Sequence, residues 1–464
     1  MSSHAHGTVK QEAPHFIVVG AGPVGLQAAL LLAKAGYRVT VYDKVDDSHV
    51  TDGTSKLNSW EDSYPIEAQV TNILLAEAVK QSDCIQILWQ HALTAIDFRL
   101  KVLKFDNLRT NKQVVVDASA SRVLAADGVR SVARREMERA FGPAAGTKNR
   151  GGNDDDDDQA LRSEFGFVKD KFFLSKVTPW AVRFRVLFSS HDVKNTSEFK
   201  LDPSVHYIFS GIYTAIINSG DESGTNRWSI AFFGRRTFGG ALVAVNTLRA
   251  GEWLCLLGDA AHSAIPPTGE GINGGLEDCK VLHECLKAAN GGVPGGSVPN
   301  DLFERFDRAR LSDVLALHEI ASYLNDNFYS NGAEKAARVM AKIFASIRRK
   351  LGVGPPLYEE LTFGQMSNPP VPYSQVVSVF RNNLLGLCLF RLLVRPFSGV
   401  ASICRPSALS SDSRTRHRRP VSSCTITRTF LPSAHSPLII MLWRRPNTSG
   451  VQTENGSSMP RRQD

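Results

Sequence analysis

Short hydrophobic runs alternate with helical patterns through much of the chain. Hydrophobic and β-branched residues dominate at 16–19, 38–42, 122–126 and 253–257, as expected of strands buried in a parallel sheet. The apolar residues at 66–80 fall on one face of a helix. This alternation of strand and helix predicts an α/β fold with a parallel sheet.

The glycines after the first strand form the first candidate site. Gly20, Gly22 and Gly25 make a GxGxxG pattern that opens a helix, and Asp43 ends the second strand. In such a βαβ unit the glycines allow a tight turn, a close pyrophosphate and close helix packing, and the acid takes ribose hydroxyls. The pattern predicts one nucleotide site, and the alternative is a glycine-rich turn that binds nothing.

A second candidate site follows the strand at 253–257. Asp259 ends that strand, and a turn rich in glycine and proline leads into a helix over 272–289. The acid can accept hydrogen bonds from ligand hydroxyls, the glycines let the backbone approach a flat ring, and the helix directs its free N–H groups there. The simpler alternative is a loop that only joins strand and helix.

The middle of the chain has a different pattern. Residues 165–252 alternate aromatic and β-branched strands with turns, which predicts an antiparallel sheet in a second domain. Residues 300–350 have helical spacing. An insertion at 146–159 contains five consecutive aspartates, and a solvated, disordered loop is favoured over a calcium site because a contiguous run cannot wrap an ion.

Composition and charge narrow the class of protein. The chain has 464 residues, 42% hydrophobic and 22% charged, which suits a globular protein with a sizeable core. Its seven scattered cysteines form no CxxC pair and fit a reducing compartment. The net charge of +8 comes mostly from arginines after residue 400, so it does not indicate nucleic-acid binding. The region 397–464 is predicted to be a disordered basic tail.

The apolar stretch at 384–394 bears on localisation. It is interrupted by Arg391 and is shorter than the roughly 20 residues needed to span a bilayer. Packing on the body of the protein is favoured over contact of 384–395 with a membrane surface. We expect a cytoplasmic protein, with membrane association as the alternative.

Three motifs in order resemble the FAD-dependent aromatic hydroxylases, the p-hydroxybenzoate hydroxylase-like family. They are the GxGxxG turn with Asp43, then Asp127-Gly128 with Arg134, then the segment from Gly258 to Asn273. The likeness is greatest to the kynurenine 3-monooxygenases. It implies a Rossmann-like FAD-binding domain with an inserted, mostly antiparallel β-sheet substrate domain and C-terminal helices. The implied segments are FAD-binding parts at 14–140 and 251–300, a sheet domain at 141–250, and helices at 301–396.

The resemblance also implies the cofactors and the residues that hold them. FAD would be bound, with NADPH or NADH as a transient co-substrate, O2 as oxidant and a small aromatic molecule as substrate. Arg134 would support the second motif, and His262 is interpreted as structural, so no catalytic side chain and no metal ligand is assigned. The implied cofactor-binding residues are Gly20, Gly22, Pro23, Val24, Gly25, Asp43, Asp127, Gly128, Arg134, Gly258, Asp259, Pro266, Gly269, Gly271, Ile272 and Asn273.

Two departures from the resemblance concern the substrate. Glu67 stands where the kynurenine enzymes have a carboxylate-binding arginine, and their Asn, Glu-Met-Arg cluster falls on Glu319 and 322–324. A carboxylate at position 67 would repel an amino-acid carboxylate. We therefore expect hydroxylation of a larger phenolic or cyclic compound, in secondary metabolism. Kynurenine 3-monooxygenase itself and a degenerate, non-catalytic flavoprotein are the alternatives.

Overall fold

The chain divides into two units, each described separately. The structure, a computed structural model, describes residues 15–46, 65–143, 155–167, 171–180, 184–188, 205–209, 214–218, 228–233, 240–265, 270–330, 332–356, 371–393 and 440–444. The first unit comprises Met1–Val182 and Gly239–Ser411, and the second comprises Arg183–Phe238 and Asp412–Asp464.

A six-stranded sheet forms the centre of the first unit. Its strand order is β14-β15-β7-β1-β2-β3, and every pairing is parallel except that of β14 with β15. The strands are β1 His15–Val19, β2 Arg38–Tyr42, β3 Ile85–Leu88, β7 Ser121–Ala125, β14 Arg249–Ala250 and β15 Leu254–Leu256. Because β1, β2, β7 and β15 are parallel, their carboxyl ends meet at one edge, where ligands bind in open α/β sheets.

Helices cover this sheet and extend from it. α1 packs against α2 and α5, α5 packs against α6, and α6 packs against α8. The helices are α1 Pro23–Lys34, α2 Pro65–Lys80, α3 Val132–Phe141, α4 Asp155–Glu164, α5 Gly271–Ala289, α6 Leu302–Tyr329, α7 Gly332–Lys350 and α8 Tyr373–Asn383. The core combines apolar faces of the strands with these helices, and Trp253 and Phe141 are among its fully buried side chains.

Two smaller antiparallel sheets complete the first unit. One is a meander of β4 His91–Asp97, β5 Val102–Asn107 and β6 Lys112–Asp117. The other pairs β8 Ser175–Pro179 with β13 Ala241–Val245.

The second unit contains one antiparallel sheet of order β16-β10-β11-β12-β9. Its strands are β9 Phe184–Phe188, β10 Val205–Phe209, β11 Thr214–Asn218, β12 Trp228–Phe233 and β16 Ile440–Arg444. The sheet is shorter in sequence than the predicted span of 141–250, because β8, β13 and α4 belong to the first unit. Phe165, just after α4, packs among Phe98, Phe141 and Trp253 of that core, edge-on to Phe98 and Trp253.

Two segments expected to be disordered contain regular structure. The loop predicted at 146–159 includes the start of α4, whose first turn is acidic. Acids at a helix N-terminus interact favourably with the helix dipole, so this run can begin a helix. Within the predicted tail, β16 forms on a short run of apolar residues and pairs with β10.

The apolar stretch near residue 390 is longer than its sequence pattern indicates. Tyr373–Leu393 has 21 residues, and it is the one helical stretch in the described part of the chain that meets the length and composition needed to cross a membrane. Its first half, α8, buries Val376, Val377 and Phe380. Leu389 and Leu392, in the helical segment 387–393, are more than half exposed. Within 384–393 itself, Leu387 is buried against Ala337 and Ala341 of α7, so the packing expected there holds for only part of the stretch.

Candidate functional site

The glycine-rich turn joins β1 to α1 in a geometry that requires glycine at two positions. Gly20 has a φ of +106° and its amide donates to Tyr42 O at 2.8 Å. A Cβ on Gly25 would collide with the carbonyl oxygen of Gly20. Gly22 caps α1 and Pro23 is its first residue, a position that suits proline. The turn therefore presents the N-terminus of α1 at the carboxyl edge of the sheet.

Asp43 closes this turn from the end of β2. Its carboxylate accepts hydrogen bonds from the amides of Ala21, at 2.5 Å, and Val45, at 2.7 Å. Asp43 thus lies beside the glycines, as the βαβ pattern predicts, and it also fixes the turn. A carboxylate has about four acceptor positions, so these two bonds leave capacity for ligand hydroxyls.

Asp127 and Gly128 lie at the end of β7. Asp127 Oδ2 accepts from the amides of Val132, at 2.7 Å, and Ala133, at 3.2 Å, in the first turn of α3. Burial raises the pKa of Asp127 despite these hydrogen bonds. Gly128 has a φ of +76°, which suits glycine.

Arg134 connects this second motif with the third. Its buried guanidinium donates to Ala260 O at 2.7 Å and to Val129 O at 2.7 Å. Burial lowers the pKa of Arg134, an effect opposed by the charge of Asp127. Arg134 therefore holds the turn after β15 against the loop after β7.

Gly258 and Asp259 form a short 3-10 turn after β15, Gly258–Ala260. Gly258 has a φ of +56°, and a Cβ there would lie 2.9 Å from Val24 Cγ2. The same Val24 side chain occupies the space that a Cβ on Gly275 would need. The glycine-rich turn, the turn after β15 and the first turns of α5 therefore converge on Val24.

A buried charge network lies beneath this convergence, and His262 is the one member of it that the local sequence pattern indicates. His262 Nε2 lies 2.6 Å from Asp278 Oδ2, which also accepts from the amide of Gly258 at 2.8 Å. Arg310 Nε donates to Asp278 Oδ1 at 2.7 Å. Burial alone would raise the pKa of Asp278, but the charges and hydrogen bonds of His262 and Arg310 outweigh it and lower that pKa.

The network supports a structural interpretation of His262. Arg310 is 1% exposed, forms an ion pair with Glu277 at 2.8 Å, and donates to Gly274 O at 2.9 Å. It thus fixes the first turns of α5 to α6. A polar residue on an otherwise apolar helix face, such as Asp278, is the sequence signal that could have revealed this network.

The N-terminus of α5 carries the remaining predicted residues. Gly271 is the first residue of the helix, and Ile272 and Asn273 follow it in the first turn. Pro266 and Gly269 lie outside the described residues. Glu270, which was not predicted, precedes the helix, and its Oε2 accepts a hydrogen bond from the Tyr373 hydroxyl at 2.6 Å.

Among the residues singled out for substrate selection, Glu319 and Tyr323 contact other helices, whereas Leu324 packs on a buried cluster that contains Leu242 and Ile265. Glu319 forms an ion pair with Arg381 at 2.5 Å. Tyr323 packs against Phe380 and lies beneath the Arg338 guanidinium, 4.1 Å from it. These residues of α6 join it to α7 and α8. Glu67 lies in the first turn of α2.

Comparison with known proteins places the site in a family context. The family model described as FAD dependent oxidoreductase matches residues 15–152, and the FAD binding domain model matches residues 215–312. Kynurenine 3-monooxygenase of Candida albicans is 30% identical over 133 residues, which are 27% of this chain and 25% of that enzyme. The Myxococcus xanthus enzyme of the same name is 38% identical over 93 residues, 20% of this chain and 18% of its own.

Over these regions the chain is similar to FAD-dependent enzymes, and FAD is the cofactor named in the descriptions of both family models. The chain matches about a quarter or less of the length of these curated relatives. Among solved structures, p-nitrophenol 4-monooxygenase from Pseudomonas putida has a TM-score of 0.46 and 15% identity, covering 84% of this chain and 98% of its own. That structural likeness is too distant to bear on activity.

The observed geometry fits an FAD. A Cβ on Gly22, Gly128 or Gly271 would meet no atom of the described residues within 4 Å, so these residues leave the backbone open at all three positions. Asp127 Oδ1 is buried without a hydrogen-bond partner among the described residues. Within the described part of the chain no side chain caps α1, which leaves its N-terminal amides to an anion such as a pyrophosphate.

Proposed function

We propose that this chain is an FAD-dependent monooxygenase that uses NAD(P)H and O2 to hydroxylate an aromatic or related cyclic small molecule. The convergence at Val24 carries the proposal, because it brings the amide-bearing ends of α1 and α5 together with the turn after β15. This arrangement suits a long ligand with a pyrophosphate, a hydroxylated chain and a flat ring.

The proposed contacts follow from where each residue lies. Amides at the start of α1 would hold the pyrophosphate, and Asp43 would accept from the adenine ribose. Asp259 would face the ribitol chain. Ile272 and Asn273 would place their amides at the pyrimidine edge of the ring, where the positive end of α5 favours negative charge.

FAD, when bound, supplies the redox chemistry of oxygen activation. The chain's own contribution is to bind and orient. Arg134 positions the turn that carries Asp259 by holding its carbonyl groups. The buried network of His262, Asp278 and Arg310 keeps the start of α5 in place. We assign no side chain as a nucleophile.

Kynurenine hydroxylation is a second candidate, favoured by the names of the curated relatives. The ion pair of Glu319 with Arg381 and the burial of Tyr323 between helices argue against it, because these side chains are engaged in helix packing. Assay of 3-hydroxykynurenine formation separates the two candidates, and we expect none. A role in secondary metabolism accords with this departure from the substrate residues of the kynurenine enzymes.

The function is tested with the purified full chain. We expect a yellow protein with flavin absorbance that oxidises NADPH in air faster when its substrate is present, and that places one atom of labelled O2 in the product. A colourless protein that does not take up added FAD would rule the proposal out.

A glycine substitution separates cofactor binding from folding. Gly22→Ala has space for its methyl group within the protein, so the variant should keep the wild-type melting temperature of the FAD-free protein. The methyl group would nevertheless occupy the place of the pyrophosphate, and we expect FAD affinity to fall about tenfold or more. Gly332→Ala, which also meets nothing within 4 Å, is the matched control. Unchanged affinity in Gly22→Ala would contradict the proposed pyrophosphate position.

A further inference from the structure

The antiparallel meander of the first unit ends in an open edge strand. β6 is the last strand in the order β4-β5-β6, and within the described part of the chain no strand pairs with its outer side. Its pairing with β5 keeps one register over the whole strand, without a bulge. Charged residues stand only at its two ends, Lys112 and Asp117. Because bulges and central charges are common ways of blocking an edge, β6 offers a straight template for another strand.

Alternate residues of β6 direct their backbone groups to this open side. The amide of Ala118, the residue after β6, donates to Lys101 O on the β5 side at 3.0 Å. Hydrogen bonding alternates along an antiparallel strand, so the even-numbered residues of β6 bond to β5 as Ala118 does. The N–H and C=O groups of Gln113, Val115 and Asp117 therefore point to the open edge.

The side chains of β6 alternate in the same way. Val114 and Val116 pack against the core of the unit, whereas Gln113, Val115 and Asp117 lie on the solvent face and are exposed. Val115, in the middle of the strand, is 60% exposed. A neighbouring strand on the open side would cover this valine, since directly opposite residues of paired strands share a face.

The sequence of β6 complements itself in the antiparallel direction. When the outward-bonding residues of two copies pair, Val115 lies opposite the partner's Val115, and Gln113 lies opposite the partner's Asp117. A hydrogen bond with Ser119 lowers the pKa of Asp117, so its carboxylate is ionised and can accept from the amide of the partner's Gln113. The strand begins with Lys112 and ends with an acid, so antiparallel pairing brings unlike charges together and places no like charges opposite each other.

We propose that the open edge of β6 is the docking surface for a second copy of this chain. The two three-stranded meanders then join into one continuous sheet about a two-fold axis that passes beside Val115. Because this edge is used once in each copy, the assembly closes as a dimer. The inference is independent of the proposed function, since it involves none of the residues placed at the FAD site.

The test measures the mass of the full chain by sedimentation over about a hundredfold range of concentration. A single pair of short strands is a small interface, so we expect a reversible dimer that forms at the upper end of the range. Val115→Lys and Val115→Asp each place like charges opposite each other at the two-fold axis, and each should weaken dimerisation by about tenfold or more. An equimolar mixture of the two variants should form a mixed dimer, because opposite charges then face each other.

Controls separate this contact from a general loss of structure. Ile73→Lys changes an apolar residue of α2 that is 64% exposed, and it should dimerise like the wild type. The melting temperature of both Val115 variants at low concentration should stay close to that of the wild type, because the side chain is exposed. Hydrogen exchange of the wild type tests the register: the amides of Gln113, Val115 and Asp117 should become protected as the concentration rises, whereas those at 114 and 116 should be protected throughout.

Several results would overturn the inference. A chain that stays monomeric over the whole range would do so, as would a dimer that Val115→Lys leaves intact or a mixture of the two variants that does not associate. Oligomers larger than a dimer would place the contact on another surface. If both substitutions unfold the chain, hydrogen exchange of the wild type still decides, because exchange at the three outward amides that does not change with concentration contradicts the pairing.

Discussion

Two carboxylates at α5 lie in contrasting surroundings. Asp278 faces the cationic side chain of Arg310 and the ring of His262, and these partners lower its pKa. Glu270 faces the neutral hydroxyl of Tyr373, and burial raises its pKa. The difference shows that a cationic partner turns a buried acid into a fixed structural anion. A neutral hydroxyl does not offset the cost of burying the charge, so the pKa of the acid stays raised.

The largest loss of stability is expected when the cationic partner of Asp278 is removed. Arg310→Leu leaves Asp278 and Glu277 without their shared partner, and breaking such a buried pair costs about 3–5 kcal/mol. Urea unfolding of the wild type and the variant measures this decrease in the free energy of unfolding. Arg305→Leu, on the same helix with an exposed partner in Asp301, is the control and should change little. A loss for Arg310→Leu no larger than the control's would show that the network is dispensable.

The pH dependence of stability should also show that Asp278 is a fixed anion. Because the folded-state pKa of Asp278 is depressed, its stabilisation is present above the unfolded value of about 3.9 and is lost as the pH falls through the lower folded value. Melting temperatures between about pH 5 and pH 2 should therefore fall less steeply for Asp278→Asn than for the wild type. Parallel curves for the two proteins would contradict the assignment.

Neutralisation of Glu270 should have the smallest effect, and of the opposite sign. A raised folded-state pKa means that protonated Glu270 favours folding at low pH, and that this contribution is lost as the pH rises through the raised value. Glu270→Gln should thus gain stability relative to the wild type between about pH 4 and pH 7, by roughly 2 °C or less in melting temperature. A lower melting temperature for Glu270→Gln than for the wild type over that pH range would show that the fold stabilises the charged carboxylate.

Local patterns accounted for the parts of the site that lie close together in sequence. The turn of Gly20 to Gly25 and the acid at Asp43 belong to one βαβ unit, and their spacing alone brings them together. The contact of Arg134 with the turn after β15 was expected only as general support. Its acceptors could not be identified, because the order of β7 and β15 in the sheet is a tertiary property.

Pairs of residues far apart in the chain cannot be predicted from local sequence patterns. Glu270 meets Tyr373 across 103 residues, and Arg310 meets Asp278 between two helices. Periodicity assigns a residue to a helix face but does not say which helix that face will meet. Local composition predicts disorder both for the acidic run and for Ile440–Arg444. The acidic run nevertheless begins a helix, and Ile440–Arg444 forms a strand because β10 is available as its partner.

The position of β15 also affects how the chain reaches its native state during synthesis. β1, β2, β3 and β7 all emerge from the ribosome well before β15, and Arg134 precedes its acceptor Ala260 by 126 residues. At about 5–20 residues per second, Arg134 waits roughly 6–25 s for that carbonyl. Throughout this interval the nascent sheet has an unpaired edge at β7, which is the point at which the growing chain most needs protection from aggregation.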